Sequence, residues 1–165
     1  VVLLDTAVAQ SSLPQAQYAL PFNYLWGPAG KPLSDSSHQS ASLRFSGVGL
    51  RPYAPCHVTW SWNATGDLTL YWIRRDRDPA SDSWDQTEIP MSEGSEAYEI
   101  DIQDGAGNVL RTITGLTVSS YLYPTASQLA DFGAQLEQGD ALHLSIYQMS
   151  AIFGRGTGKS IALNL

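Results

Sequence analysis

Residues 56–62 and 68–73 each place an apolar side chain at every second position, and a short polar stretch, residues 63–67, separates them. The alternating apolar residues are Val58, Trp60, Trp62, Leu68, Leu70 and Trp72. A period of two is the repeat of a β-strand that buries one face, and Asn and Gly favour tight turns. The pattern therefore predicts two adjacent antiparallel strands.

The same alternation continues towards the C-terminus and predicts more strands. Apolar residues alternate at Tyr98, Ile100 and Ile102, at Leu142, Leu144 and Ile146, and at Ile161 and Leu163. Glu99, Asp101 and Gln103 are expected to face water on the first of these strands. Other predicted elements are strands at residues 109–114 and 117–123 and a helical turn at Ser127–Phe132 that Gly133 ends. About seven strands in roughly 110 residues is typical of a β-sandwich.

A boundary between two parts of the chain is predicted just before this sandwich. Pro52 and Pro55 precede its first strand, where a missing backbone N–H costs no ladder hydrogen bond. Residues 1–50 include an apolar run at Val1–Leu4 that is expected to form a buried strand, but they hold too few strands to be stable alone. They are predicted to complete a domain supplied by preceding sequence or by a neighbouring subunit, while residues 51–165 form the sandwich.

Composition and charge argue against several functional classes. The 165 residues carry 16 acidic and 9 basic side chains, and the net charge of −7 opposes attraction to nucleic-acid phosphates. No stretch approaches the roughly 18 apolar residues of a membrane-spanning helix, so no membrane span is expected. Cys56 is the only cysteine, which excludes an intrachain disulfide and a multi-cysteine metal site. Because the chain begins at Val1 and its first methionine is Met91, it is expected to be a mature product or a fragment.

A series of segments resembles, in order, the C-terminal region of phage tail-tip proteins. The segments are GPAGKPLSD (residues 27–35), LRPYAPCH (50–57), DLTLYWIRR (67–75), SDSWDQTEIP (81–90), YEIDIQDGAGNVLRT (98–112), QLADFG (128–133) and SIYQMSAIFGRGTG (145–158). The set as a whole, rather than any one segment, carries the resemblance. Such proteins occur in siphophages and gene transfer agents as large host-specificity or baseplate proteins with a fibronectin type III-like C-terminal region.

The resemblance implies an all-β fold, with a fibronectin type III-like (immunoglobulin-like) β-sandwich at residues 51–165 preceded by an incomplete β segment at residues 1–50. It also implies a non-enzymatic, structural role in the virion tail tip or baseplate, as the C-terminal part of a larger protein that contributes to tail assembly and host-surface recognition. The implied partners are hub and distal tail proteins, further copies of the chain in a homotrimer, and a host cell-surface glycan or protein. No cofactor is expected.

Two features depart from a typical fibronectin type III module. Leu142 stands where the penultimate strand usually has a tyrosine whose hydroxyl bonds back to the backbone. The segment between Arg75 and Tyr98 is also longer than usual.

The charged segment between Asp76 and Pro90 is the predicted contact site for a partner or receptor. Trp84 is an aromatic residue in an otherwise charged loop, so it either folds back onto the sandwich or contacts a partner. The predicted contact residues are Trp84, Arg77, Asp78 and Asp82. Carboxylates that could hold calcium are Asp76, Asp78, Asp82, Asp85 and Glu88. Their spacing lacks the regular ligands and glycine of a calcium loop, so a solvated loop with arginine counter-charges from residues 74–77 is favoured.

The other motifs do not indicate a binding or catalytic site. GRGTGKS at residues 154–160 has the wrong spacing for a phosphate-binding loop, and a hairpin turn is predicted instead. His38, His57 and His143 have no serine or carboxylate at a spacing typical of catalysis, and the last two are expected to be exposed on their strands. No catalytic, cofactor-binding or metal-binding residue is assigned.

Two other functions are considered. A carbohydrate-binding sandwich of a secreted or virion-attached protein predicts an exposed aromatic platform that includes Trp84, Tyr121 or Tyr123. A wall hydrolase requires two carboxylates about 5–10 Å apart across a cleft.

Overall fold

The computed structural model describes residues 13–77 and 90–165, and these ranges consist mostly of β-strands. The strands are β1 (Pro21–Trp26), β2 (Gln39–Arg44), β3 (Cys56–Trp62), β4 (Leu68–Ile73), β5 (Tyr98–Gln103), β6 (Val109–Leu116), β7 (Ser120–Tyr123), β8 (Ala141–Ser150) and β9 (Gly154–Asn164). The helix α1 (Thr125–Phe132) and 3-10 turns at Gln15–Gln17 and Val48–Leu50 complete the described elements. The all-β prediction is confirmed, and the strand predicted at Val1–Leu4 lies outside the described residues.

The chain divides into two compact units, residues 1–49 and 50–165. In the first unit, β1 and β2 pair antiparallel as a two-stranded ribbon. Phe22 and Tyr24 share one face, and the ring of Phe45 meets both edge-on, with centroids 5.9 and 6.4 Å away. Most side chains of this ribbon are exposed. Because a two-stranded ribbon is marginally stable at best, its own packing stabilises this unit little.

The second unit is a sandwich of a three-stranded and a four-stranded sheet. The strand orders are β3-β4-β7 and β6-β5-β8-β9, and all neighbours are antiparallel. This arrangement is a fibronectin type III-like β-sandwich, which confirms the predicted fold class. The two strands predicted at the start are β3 and β4, and their register pairs Trp62 with Leu68 across the turn.

Alternate residues of both sheets form the hydrophobic core. Its buried members on the strands are Leu68, Leu70, Trp72, Tyr98, Ile100, Ile102, Tyr123, Leu142, Leu144 and Ile146. Half-buried members at the margins include Val58, Trp60, Trp62, Ile161 and Leu163. These residues face inwards because each sheet packs with only one face against the other. Trp72 and Tyr98 connect the two sheets edge-to-face, with ring centroids 5.2 Å apart.

A buried glutamine attaches α1 to the sandwich. Gln128 is fully buried, and its Nε2 donates hydrogen bonds to the carbonyls of Tyr123 at 3.0 Å and Gly66 at 3.2 Å. Its Oε1 accepts from the amide of Leu136 at 3.1 Å. The helix ends at Gly133, as predicted, because that residue adopts a left-handed conformation with φ of 76°. None of the described helices is long and apolar enough to cross a membrane.

A second contact joins α1 to the strands through Asp131. The hydroxyl of Tyr123 donates to Asp131 of α1 at 2.6 Å, and Asp131 also accepts two 2.7 Å hydrogen bonds from Arg111. Burial raises the pKa of Tyr123, and the bond to Asp131 adds to this effect. Burial also opposes ionisation of Asp131, but the bonds from Arg111 and Tyr123 outweigh it and lower the pKa of that carboxyl.

Asp101 is buried, with 4% exposure, so the prediction that it faces water is wrong. It does lie on the outer face of the four-stranded sheet, as its position in β5 requires. However, Arg155 of β9 reaches across and donates to it at 2.7 Å, and Thr112 donates at 2.7 Å from β6. The alternation of β5 correctly predicts the face on which Asp101 lies but not the side chain that covers it.

The glycine-rich stretch at residues 154–160 lies entirely within β9, so the hairpin turn predicted there is wrong by a few residues. The turn itself occupies residues 151–153. Gly154 begins the strand with a positive φ of 72°. A Cβ at Gly156 would lie 2.6 Å from the carbonyl oxygen of Pro52, and one at Gly158 would lie 2.5 Å from the ring of Tyr147. These glycines therefore allow close packing around β9.

Candidate functional site

Four segments meet at one end of the sandwich, which we call the loop end. It consists of residues 51–55, 74–77, 90–97 and 151–153. Backbone hydrogen bonds attach these segments to the sheets: the Pro52 carbonyl accepts from Thr157 at 3.0 Å, and the Met149 amide donates to Ala97 at 2.9 Å. In sequence, the second and third segments flank residues 78–89, which hold most of the predicted contact residues.

Residues 74–77 and 90–97, which flank residues 78–89, are called the first and second stems of the predicted contact loop. The first stem is fixed to the four-stranded sheet. Gln148 of β8 is 8% exposed, and its Oε1 accepts a 2.6 Å hydrogen bond from the amide of Arg75. Its Nε2 donates to the carbonyl of the same residue at 2.8 Å. One buried side chain thus satisfies both backbone groups of Arg75, which orders the chain directly after β4.

Arg77, a predicted contact residue, connects both stems of the loop. Its Nη2 lies 2.7 Å from Oε1 of Glu93, and the two side chains form an ion pair. Its guanidinium also lies over the ring of Phe153 in the β8–β9 turn, 5.1 Å from the centroid. Arg77 is therefore held within the loop end, which gives it an anchoring role.

Glu96 organises the second stem. It accepts a 2.6 Å hydrogen bond from the hydroxyl of Tyr98 and lies 3.3 Å from Nη1 of Arg74. Burial raises the pKa of Tyr98, and Glu96 raises it further. A cavity beside these residues measures about 20 Å³, room for roughly one water molecule. This cavity is too small for an organic ligand.

The outer surface of the loop end combines an arginine with exposed apolar side chains. The guanidinium of Arg75 lies over the ring of Tyr53, 5.2 Å from its centroid. Tyr53 is 43% exposed, and Met91 and Ile152 are 46% and 53% exposed. Arginine, tyrosine and methionine are enriched where proteins bind one another. The composition of this surface favours contact with a protein.

The other predicted contact residues cannot be placed on this surface, because Trp84, Asp78 and Asp82 lie outside the described residues. Asp76, from the candidate calcium loop, accepts hydrogen bonds from the amide and hydroxyl of Ser92, at 2.8 and 2.6 Å. No cluster of three metal-ligating side chains occurs within residues 13–77 and 90–165. The role of this loop in contacting a partner stays a prediction.

Arg155 forms a charged cluster that sequence patterns did not reveal. It donates to Glu99 at 2.7 Å as well as to Asp101, and its guanidinium lies 4.2 Å from the ring centroid of Tyr147. Burial opposes ionisation of Asp101, but its bonds with Arg155 and Thr112 outweigh this effect and lower its pKa. The only sequence signal was the position of Arg155 within the glycine-rich stretch. The cluster joins four strands, β5, β6, β8 and β9, and has a structural role.

Two predictions about exposed rings need correction. Tyr123 is fully buried, and Tyr121 is half-buried against the core, so these two residues do not form an exposed platform for sugar. His57 is exposed as expected, whereas His143 is half-buried, so its predicted exposure is wrong. Of the proposed aromatic platform, Trp84 alone remains, outside the described residues.

Comparisons with known proteins concern the fold alone. No protein-family model matches the chain, and no curated protein matches its sequence. Among solved structures, the extracellular domains d3-d4 of rat CD45 align with a TM-score of 0.44 at 10% identity, over 100% of this chain and 74% of that chain.

Two further structures align similarly. A myokine aligns with a TM-score of 0.42 at 16% identity, over 68% of this chain and 96% of that chain. The spore cortex lytic enzyme SleM of Clostridium perfringens has a TM-score of 0.41 at 9% identity, over 86% of this chain and 38% of that chain. Because these scores are low, the assignment of a fibronectin type III-like sandwich rests on the strand order.

Proposed function

We propose that this chain is a non-enzymatic structural module of a phage-type tail tip or baseplate in the virion tail, the C-terminal part of a larger host-specificity protein. In this role it packs against hub and distal tail proteins and against its own copies in a homotrimer. Its loop end faces a partner or a host cell-surface glycan or protein. The ordered segments between residues 27 and 158 that resemble tail-tip proteins support the virion location.

The preassembled loop end is the observation that carries a binding role. Gln148 fixes the stem that leaves β4, and Arg77 connects it to Glu93 on the stem that enters β5. The cation–π contact of Arg77 with Phe153 adds the neighbouring turn. A loop held at both stems loses less conformational freedom when it binds, which favours affinity.

The lowered pKa values of four carboxylates support a role without catalysis. Asp67, Asp101, Asp104 and Asp131 each have a lowered pKa, and each accepts hydrogen bonds that stabilise the sandwich or its turns. A carboxylic acid that donates a proton in catalysis usually has a raised pKa, because it must stay protonated near neutral pH. These four groups are suited to structural contacts.

Immunogold electron microscopy of purified particles tests the location. Antibodies against residues 50–165 should label one end of the tail, and peptides of the chain should be found by mass spectrometry in the particle fraction. Antibodies against the major capsid protein provide the control, because they should label heads. The proposal is overturned if the chain stays out of the particles.

A substitution in the loop tests the binding role. Particles with Trp84→Ala should adsorb to host cells or assemble less efficiently, because the aromatic contact is lost. The matched control is Leu129→Ala on α1, where Leu129 is 55% exposed and lies outside the loop end. Equal adsorption and assembly by both variants would argue against a contact through this loop.

A further inference from the structure

In the described part of the sandwich, the exposed Arg75 has no carboxylate partner, a property that it shares with the half-buried Arg51. Four other arginines form ion pairs: Arg74 with Glu96, Arg77 with Glu93, Arg111 with Asp131, and Arg155 with Glu99 and Asp101. Within residues 13–77 and 90–165, no carboxylate lies in ion-pair distance of Arg75. Its guanidinium contacts the ring of Tyr53 instead.

The contact with Tyr53 leaves the guanidinium able to bind an anion. A guanidinium that lies over a ring uses its face, while its five N–H donors point outwards in the plane. The backbone of Arg75 is held by Gln148, so the side chain projects from a fixed point. The arrangement supplies a positioned fork of donors, which suits two parallel hydrogen bonds to a carboxylate.

The surroundings favour a single carboxylate over a polyanion. The chain has a net charge of −7, and Glu93 and Glu96 lie on the neighbouring stem. These charges oppose the approach of a phosphate polymer, whereas one carboxylate matches the donors of a single exposed arginine. Exposed Met91 and Ile152 belong to the same loop end and suit the apolar side chains of a protein.

We propose that Arg75, positioned over Tyr53, binds the carboxylate of an aspartate or glutamate side chain on a partner protein. This assignment names the partner chemistry of the loop end, and it rests on the proposed role of that end as a contact surface. The partner surface carries an acidic residue next to apolar ones.

Side-chain NMR on the ¹⁵N-labelled full chain tests the proposal. The arginine Nε–Hε signals are recorded while a blocked Leu-Glu-Leu peptide is added, with the blocked Leu-Gln-Leu peptide as the uncharged control. The Arg75 signal, identified by its absence in Arg75→Lys, should shift saturably with the glutamate peptide only. Arg75→Gln should weaken the apparent affinity roughly tenfold or more, because hydrogen bonds to a charged group are lost.

Two variants separate this site from general charge effects. Arg75→Gln should keep the backbone signals of the loop end, because Gln148 bonds to the backbone of residue 75 and not to its side chain. Lys159→Gln removes another exposed positive charge, from β9, and should leave peptide binding unchanged. Tyr53→Leu should weaken binding several-fold, because the guanidinium loses its positioning ring.

Defined outcomes overturn the proposal. A shift of equal size with the glutamine peptide, or no saturable shift at all, excludes carboxylate binding by Arg75. Equal or stronger binding of glucuronate excludes a protein carboxylate as the favoured ligand and assigns the site to an acidic sugar. Failure of tail labelling, with intact peptide binding, overturns the virion location alone, so the two proposals fail separately.

Discussion

Gln148 and Arg75 form a closed pair of hydrogen bonds between a side-chain amide and a backbone peptide, at 2.6 and 2.8 Å. Gln148 belongs to β8 of the four-stranded sheet, whereas Arg75 follows β4 of the three-stranded sheet. The pair therefore joins the two sheets at the loop end. It also fixes the residue from which the predicted contact loop departs.

Replacing Gln148 with leucine should destabilise the sandwich by about 1–3 kcal/mol, because both backbone groups of Arg75 lose their partner. Urea denaturation measures this change, and hydrogen exchange at the Arg75 amide should become faster. Gln138→Leu, at an exposed position, should change stability by less than about 0.5 kcal/mol. Similar losses in both variants would contradict the importance of the pair.

Tyr123→Phe should destabilise the sandwich by about 1.5–3 kcal/mol, because the buried hydroxyl donates to the charged Asp131. Tyr121→Phe is the matched control on the same strand, since no hydrogen bond of its hydroxyl is seen among the described residues, and it should cost less than about 0.5 kcal/mol. Thermal unfolding of both variants measures the difference. Equal melting temperatures of the two variants would show that the hydroxyl of Tyr123 does not stabilise the sandwich.

Alkaline pH should unfold the protein through its buried tyrosines. Burial, together with Glu96 or Asp131, raises the pKa values of Tyr98 and Tyr123 above the ordinary value of 10. The unfolded chain therefore loses these protons first, so the stabilisation is complete below about pH 10 and declines as pH rises beyond it. Denaturant midpoints at pH 8–11 measure this decline, which Tyr123→Phe should reduce. An unchanged slope in that variant would show that Tyr123 does not contribute.

Asp67 should make stability fall in acid. It accepts hydrogen bonds from the amide of Thr125 and from the side chains of Asn63 and Thr65, and these lower its pKa from 3.8 to about 2. The folded protein thus holds this carboxylate ionised where the unfolded chain protonates it, and stability is lost as pH falls from about 4 towards 2. Melting temperatures over this range should fall less in Asp67→Asn than in the parent. Glu137→Gln, an exposed position, provides the control and should keep the parent's slope.

Gly156→Ala should destabilise the sandwich by about 1–3 kcal/mol, because the added methyl group meets two backbone carbonyl oxygens that cannot move alone. These oxygens, from Pro52 and Gln148, would lie 2.6 and 2.8 Å from the new Cβ. Gly105→Ala is the control, since its Cβ would meet nothing within 4 Å. Equal stability of the two variants, measured in urea, would show that β9 can shift to make room.

Local alternation sufficed to predict the strands, because the side of a strand that faces the core is decided residue by residue. The predicted inward positions of β4, β5 and β8 are buried for this reason. The contacts of the loop end could not be predicted in this way. Gln148 and Arg75 lie 73 residues apart, and no periodicity marks a glutamine that will bond to a distant backbone. Asp101 was misjudged for a similar reason, since Arg155 covers it from 54 residues away.

The charged segment around Arg77 predicts a contact role for this residue, and the structure places it at the base of that segment with Glu93 and Phe153. Its charge is evident from the sequence, but its partners depend on how the stems fold. Arg75 lies close to it in the sequence, yet in the described part of the chain Arg75 has no carboxylate partner, as is also true of Arg44 and Arg51. Sequence alone cannot separate paired from unpaired arginines, because pairing is set by tertiary distances.

The glycines of β9 have one more consequence. Gly154, Gly156 and Gly158 occupy alternate positions in the first half of this strand. Because they have no side chains, they do little to fix the register of β9 against β8. Arg155 does so instead, since sliding β9 by one residue would turn its guanidinium to the opposite face and separate it from Glu99 and Asp101. A single long side chain therefore fixes the register of the last strand.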